Sequence, residues 1–600
     1  MPQAATVSPA DEYRQRQQAR EAAAGRLDKT HRSLGNLRLL LVVIAIFIAW
    51  WSFVRHDLSA WWLLFPAAIF VGVAIYHARI LQRKSLAERA ANFYCNGIAR
   101  IEDRWSDIGQ QARRNDADDS LYANDLDLFG SGSLFQLLSQ ARTCMGEDTL
   151  AGWLLSPASL SEIDARHAAI AELRNRLDLR EEMAILGNDD QKLKSAAHPH
   201  ALSQWIAKST QLQRQTLRWV ALLLAVLAVA SAIFWAEAGI KSPFLIVLLI
   251  EACIAFSLKE HLKKIFSGAD RAFADLELLS SLLARLEREA FHSPLLQSIR
   301  QRLLSHDTPA SHAIARLATV VQFIDSRDNW FLRLLDVPLM YSVQVGFATE
   351  SWRRTHGAAA NSWLSAVGDM EALLAIAAYS YEHPADPFPE FIDGPPTFHA
   401  ESLGHPLIAA ASCVRNDVSI KAPTRALLIS GSNMSGKSTL LRAIGLNTVL
   451  AMAGAPVRAQ RLQLTPLHVG ASILVNDSLQ QGSSRFYAEI TRLRRICDLA
   501  EQQPPVLFLL DELLQGTNSR DRLTGAEAVV RELTESGAIG LISTHDLALT
   551  GIHLPAGSLR NMHFQDCIED DKMKFDFKLR DGVVTKSNGI ELMRLIGLKV

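Results

Sequence analysis

The segment ALLISGSNMSGKST (Ala426–Thr439) changes character partway along. Ala426–Ser430 is an apolar run of strand length, and beyond the turn Leu440, Leu441, Ile444 and Leu446 recur at helical spacing. Between them lies GxxxxGK[ST], the strand–loop–helix setting of a phosphate-binding loop. Gly431 and Gly436 allow the backbone N–H groups of Ser432, Asn433, Met434 and Ser435 to curl around phosphate oxygens. The helix N-terminus adds positive potential. Lys437 is placed to reach the β- and γ-phosphates of a nucleotide and Ser438 to ligate Mg²⁺, with Thr439 closing the loop.

Two further apolar runs extend the pattern. Val506–Leu510 ends in Asp511-Glu512, roughly 70 residues after the loop. A buried strand ending in an acidic pair suits Asp511 to holding Mg²⁺ through water and Glu512 to polarising the attacking water. Ala538–Ile542 leads to Ser543-Thr544-His545-Asp546, which sets His545 to sense the γ-phosphate or orient water. Together these pieces predict an α/β P-loop ATPase with Lys437, Glu512 and His545 as catalytic residues, Ser438 and Asp511 as metal ligands, and ATP and Mg²⁺ bound.

Working back toward the N-terminus, Pro384, Pro387, Pro389, Pro395 and Pro396 form a breaker-rich joint, so the ATPase domain is expected over 386–600. Upstream the chain reads as mostly helical over 78–214 and 259–385. Leu276, Leu278, Leu279, Leu282, Leu283 and Leu286 mark one amphipathic face. Four apolar runs stand out as two hairpins, Leu39–Val54 with Leu58–Tyr76 and Trp219–Ala236 with Pro243–Leu258. Each is roughly 16–19 residues, against about 20 for a bilayer crossing. Trp50, Trp51, Trp61, Trp62, Trp219 and Trp235 sit at the run ends like interfacial aromatics. Basic residues flank both hairpins while the turns hold only Arg55 and Lys241, which predicts both termini and the ATPase domain in the cytoplasm of an inner-membrane, multi-pass protein. Expected segments are therefore a cytosolic tail (1–36), two transmembrane hairpins (37–77 and 215–258) in contact with lipid, and the helical and ATPase regions. Glu251 interrupts the fourth run, facing a partner helix, lying near one end of the span, or serving a proton or ion.

Among 600 residues the formal charge is −1, so no global basic field announces a nucleic-acid partner. The six cysteines are scattered without a CxxC pair, which argues against a zinc site or a disulfide framework.

GSNMSGKST closely resembles the phosphate loop of the MutS family of mismatch-repair ATPases, in which Asn433 and Met434 are the discriminating pair. DELLQGTNSRD (Asp511–Asp521) and Ser543-Thr544-His545 are similar to that family's acidic strand end and histidine switch. Asn416-Asp417 resembles its Asn-containing turn near the base, and Gly482–Glu489 its loop that completes a partner's ATP site. The resemblance also covers Asp125–Pro157 and Arg166–Met183, which are similar to the start of the family's helical core, so that about residues 125–190 and 365–600 are included. It implies a homodimer through the ATPase domains, with Ser483 or Ser484 acting in trans, nucleotide contact by Asn416, and DNA as a partner. Departures are the membrane hairpins, the lack of any Phe-x-Glu wedge near the N-terminus, and Cys413 where an aromatic often stacks on adenine. Two whole-chain readings stay open: an ATPase coupled to mismatched or branched DNA in repair or recombination, or a membrane scaffold whose ATP cycle gates protein partners. An ABC-type transporter lacks its LSGGQ signature here.

Overall fold

The structure is a computed structural model describing residues 8–106, 108, 119–186, 199–207, 215–266, 276–304, 308–326, 336–432, 434–473, 485–555, 557–569 and 572–584. In chain order, helices α1 (Pro9–Phe53) and α2 (Leu64–Ile101) form the first hairpin. They are followed by α3 (Leu134–Leu138), α4 (Cys144–Leu155), α5 (Leu160–Leu173), α6 (Leu177–Ile185) and α7 (Pro199–Ala207). The second hairpin is α8 (Gln215–Ala238) and α9 (Ser242–Phe266). Helices α10 (Leu276–Arg288), α11 (Pro294–Leu304), α12 (Ala310–Ser326) and α13 (Tyr341–Glu382) complete the helical part. Next come β1 (Glu390–Phe391), β2 (Phe398–Leu403), β3 (Asn416–Ile420), β4 (Ala426–Ser430), α14 (Lys437–Ala453), β5 (Arg461–Leu464) and β6 (His468–Ser472). Last are α15 (Arg485–Ala500), β7 (Val506–Asp511), α16 (Ser519–Glu535), β8 (Ile539–Thr544), β9 (Leu559–Glu569) and β10 (Lys572–Asp581).

The chain divides into two compact units. One holds residues up to 140, 151–185 and everything from 374 onward; the other holds 141–150 and 186–373. In the first, a six-stranded sheet has the order β10-β9-β4-β8-β7-β6. β4 pairs in parallel with both β8 and β9, and β10 alone runs antiparallel, against β9. Because alternate side chains of a strand point to opposite faces, Phe508 and Leu510 pack under α15 and α16 with Ile496, Val530 and Leu533. Leu509 points the other way, against Gly445 of α14 and Leu126. A second sheet, β1-β5-β2-β3, adjoins it in sequence. The three strands expected from sequence are all present, and the third runs on through Thr544 because Ser543 and Thr544 stay in register with Ile429 and Ser430 of β4.

The hairpin helices outrun their apolar stretches. α1 opens at Ser8, whose hydroxyl accepts from Asp11 N, with Pro9 in the first turn and Asp11 and Glu12 complementing the helix dipole. Its polar half packs on the far half of α2, where Tyr13 and Tyr94 are completely buried. There Arg100 grips Glu382 through two hydrogen bonds of 2.6 and 2.8 Å, and Arg180 donates to the Tyr13 hydroxyl at 2.7 Å.

In the second unit the six leucines of α10 are all buried, as their spacing requires. Glu371 accepts from Arg142 N (3.0 Å), Thr143 N (3.2 Å) and the Thr143 hydroxyl just ahead of α4. Among the described residues four helices, two in each hairpin, are long and apolar enough to cross a membrane. Glu251 of α9 is fully buried, and neither carboxylate oxygen has a hydrogen-bond partner.

Candidate nucleotide site

The site begins where β4 stops. Gly436 caps α14 with φ near 100°, and a Cβ there would come within 3.0 Å of the Phe577 ring. Only glycine fits both constraints. Met434 takes φ 72° at the tip of the loop and is 85% exposed, an unusual state for a methionine with no partner to cover it. Lys437 Nζ donates to the carbonyls of Gly431 and Ser432, both at 2.8 Å. Burial pushes its pKa down, against the opposing pull of Glu512 and Asp511. Two buried hydroxyls in the loop, those of Ser432 and Ser435, have no hydrogen-bond partner. Orphaned donors beside a buried ammonium are a fit for phosphate oxygens.

The ends of β7 and β8 supply the acidic side. Asp511 accepts from the Ser438 hydroxyl at 2.5 Å and from the Ser543 hydroxyl on its other oxygen. The two expected metal ligands are therefore adjacent, and two oxygen donors with the remaining positions left to water and phosphate suit Mg²⁺. Glu512 occupies the left-handed region at φ 51°, with its N–H donating to Ser543 O at 3.1 Å. Its carboxylate faces His545 Nδ1 at 3.1 Å and takes a hydrogen bond from the Gln515 amide. Glu512 and His545 thus meet, as their places at two neighbouring strand ends require.

Beside the loop lies a cavity of about 180 Å³ lined by His405, Ile408, Cys413, Asn416, Thr439 and Phe577, among others. Thr439 faces this cavity rather than only closing the phosphate loop. Asn416 ties β3 to the C-terminal hairpin: its amide donates to Phe577 O at 2.9 Å and its carbonyl accepts from Leu579 N at 2.8 Å. Burial, aided by Arg442, pushes the pKa of His405 down to about 4. Its Nδ1 accepts from Leu407 N at 3.2 Å, so the neutral ring carries its proton on Nε2.

Sequence reasoning missed Phe577, His405, Gln515 and the part played by Ser543. An aromatic does border the cavity, but it comes from β10 and not from the position of Cys413. Asn433, Ser483 and Ser484 lie outside the described residues. Among the described residues no cluster of three or more His, Cys, Asp or Glu could hold a metal.

Two family models match the chain. That for MutS domain V matches residues 427–599, and that for MutS domain III matches residues 117–327. The chain belongs to the MutS family. It is similar to the DNA mismatch repair protein MutS of Natronomonas pharaonis, 32% identical over 241 residues, which are 39% of this chain and 27% of that protein. It is also similar to the DNA mismatch repair protein MutS 2 of Halobacterium salinarum, 32% identical over 39% of this chain and 27% of that one. A third relative, the DNA mismatch repair protein MutS 2 of Haloarcula marismortui, is 36% identical over 28% of this chain and 18% of its own. The match spans about a quarter of the length of the first two relatives. The MutS domain III match runs well beyond residue 190, where the motif-level resemblance stops, and takes in the second hairpin.

Proposed function

We propose that this protein is a membrane-anchored MutS-family ATPase, which binds Mg-ATP between the 431–439 loop and the ends of β7 and β8 and couples hydrolysis to DNA binding. The observation that carries this is the contact of Ser438 with Asp511 at 2.5 Å, with the Glu512–His545 pair next to it. Lys437, Ser432 and Ser435 offer donors to phosphate, and the cavity between Asn416 and Phe577 takes the base. Mg²⁺, held by Ser438 and Asp511, would neutralise charge on the phosphates. Glu512 accepts the proton of the attacking water, and His545 and Gln515 fix its carboxylate. Asn433 contributes through the loop backbone.

Met434, Tyr487, Ile490 and Leu547 are exposed apolar side chains on the loop, on α15 and just past His545. They fit a second copy of this chain closing over the site, with Ser483 or Ser484 donating in trans to the γ-phosphate. The four exposed apolar helices and their basic flanks fit multi-pass insertion in the inner membrane with the ATPase domain in the cytoplasm. DNA enters through the relatives, which are named for mismatch repair, and through the domain III match.

Phosphate release and nucleotide binding by the purified full chain test the catalytic part. Lys437→Ala should lose ATP binding, while Glu512→Gln should keep binding and lose turnover. A wild-type chain that releases no phosphate would sink the proposal. For the DNA part, duplex, mismatched and branched probes should bind with an affinity that falls steeply with salt; equal, negligible binding of all three would leave the scaffold reading instead.

A further inference from the structure

α2 does not end as an ordinary helix. Asp103 N donates to Arg100 O at 3.2 Å and Arg104 N donates to Ala99 O at 2.7 Å, the paired bonds of a Schellman stop. The residue turned left-handed in that motif is normally glycine, yet here it is Asp103 with φ 57°. An aspartate tolerates this backbone better than most residues, but the choice still asks for a use of its carboxylate. That use is visible: Asp103 Oδ2 accepts from Ala410 N at 3.1 Å.

Ala410 sits in the middle of the segment that walls the base-side cavity. His405 and Ile408 precede it, and Ser412, Cys413 and Val414 follow it, all lining that cavity. The segment has its own internal stitching, Cys413 N to Ala409 O at 3.0 Å and His405 N to Cys413 Sγ at 3.3 Å. Ala410 is exposed, so its neighbours do not hold it by burial. Its tether is the end of a hairpin helix. That helix end is itself anchored: Arg100 is locked to Glu382, and Glu102 takes a 2.8 Å hydrogen bond from Arg14 of α1. α2 is one unbroken helix of 38 residues from the apolar stretch to this point.

We infer that Asp103 is a positioning residue of the nucleotide site, through which the first apolar hairpin holds the wall that recognises the base of ATP. This rests on the nucleotide site proposed above. Asp103 touches the loop around the base and none of the phosphate-binding groups, so the two halves of ATP separate the effect from a general loss of structure. Calorimetric titration of the full chain in lipid nanodiscs, with Mg-ATP and in parallel with Mg-tripolyphosphate, provides the test. Asp103→Gly keeps the left-handed turn and deletes the carboxylate; it should weaken ATP binding by about five-fold and leave tripolyphosphate binding unchanged. Asp103→Asn, which keeps an acceptor and tolerates the turn, should bring ATP binding back to within about two-fold of wild type. Unchanged ATP binding by Asp103→Gly, or equal weakening for both ligands, overturns the inference while the nucleotide site stands. A wild-type chain that binds neither ligand overturns the nucleotide site, and the inference falls with it.

Discussion

His405 shows how one side chain ties the site to solution conditions. Its imidazole is buried, beside Arg442, and its folded-state pKa is about 4, against the ordinary 6.5. The unfolded chain therefore takes up a proton at this residue as pH falls through 6.5, while the folded chain resists until about 4. With more protons bound to the unfolded state, stability at this residue is intact above pH 6.5 and is lost as pH falls toward 4. The loss between pH 6.5 and 5 is about 1–2 kcal/mol. Urea midpoints measured at both pH values should show this drop in wild type and a smaller one in His405→Gln. Equal drops would mean that His405 titrates normally in the fold. Glu512 and Met434 carry a different mark: both are held at positive φ, at about 1–2 kcal/mol each by steric argument, and both stand where phosphate chemistry is expected.

Strands and helices separate what was legible from what was not. β4, β7 and β8 each announce themselves by an unbroken apolar run, since a parallel strand covered on both faces has no polar side to alternate with. The stripe of α10 was equally plain, because Leu276 to Leu286 repeat at the helical period. Lys437, Ser438, Asp511, Glu512 and His545 were found because each lies next to such an element. Phe577, Gln515 and Asp103 were not, since each reaches the site by a turn or a long-range pairing that no local spacing encodes. The close fit of β7 to β8 is another such feature. A Cβ on Gly540 would lie 2.1 Å from Phe508 O, a backbone atom that cannot swing aside. Gly540→Ala should therefore destabilise the first unit by about 3 kcal/mol, read as a fall in urea midpoint. A loss under about 0.5 kcal/mol would mean that the strands can part without penalty.

On the scale of the molecule, the first hairpin is more than a pair of apolar rods. A hairpin that served only as an anchor could be removed with the rest of the fold intact. The structure instead continues α1 and α2 into a buried network, in which the Glu382 side chain is 1% exposed and is neutralised chiefly by Arg100. Deleting residues 1–104 would remove Arg100 from Glu382, leaving Arg180 at 3.9 Å, and would strip the Tyr13 ring from Tyr381. Uncovering one large apolar side chain such as Leu177, which packs with Tyr13, Tyr94 and Ile98, costs about 1.5–3 kcal/mol. The truncated chain should unfold at correspondingly lower urea concentration than the full chain in detergent. An unchanged midpoint would show the hairpin to be dispensable to the body.

The exposed apolar flanks of four helices have one more consequence. Anchored as proposed, copies of this chain would wander in the two dimensions of a lipid sheet with their nucleotide-binding heads on the same side. Their encounters would then be governed by areal density, so a head-to-head affinity too feeble to pair the heads if they were cut free and diluted would suffice to keep them together.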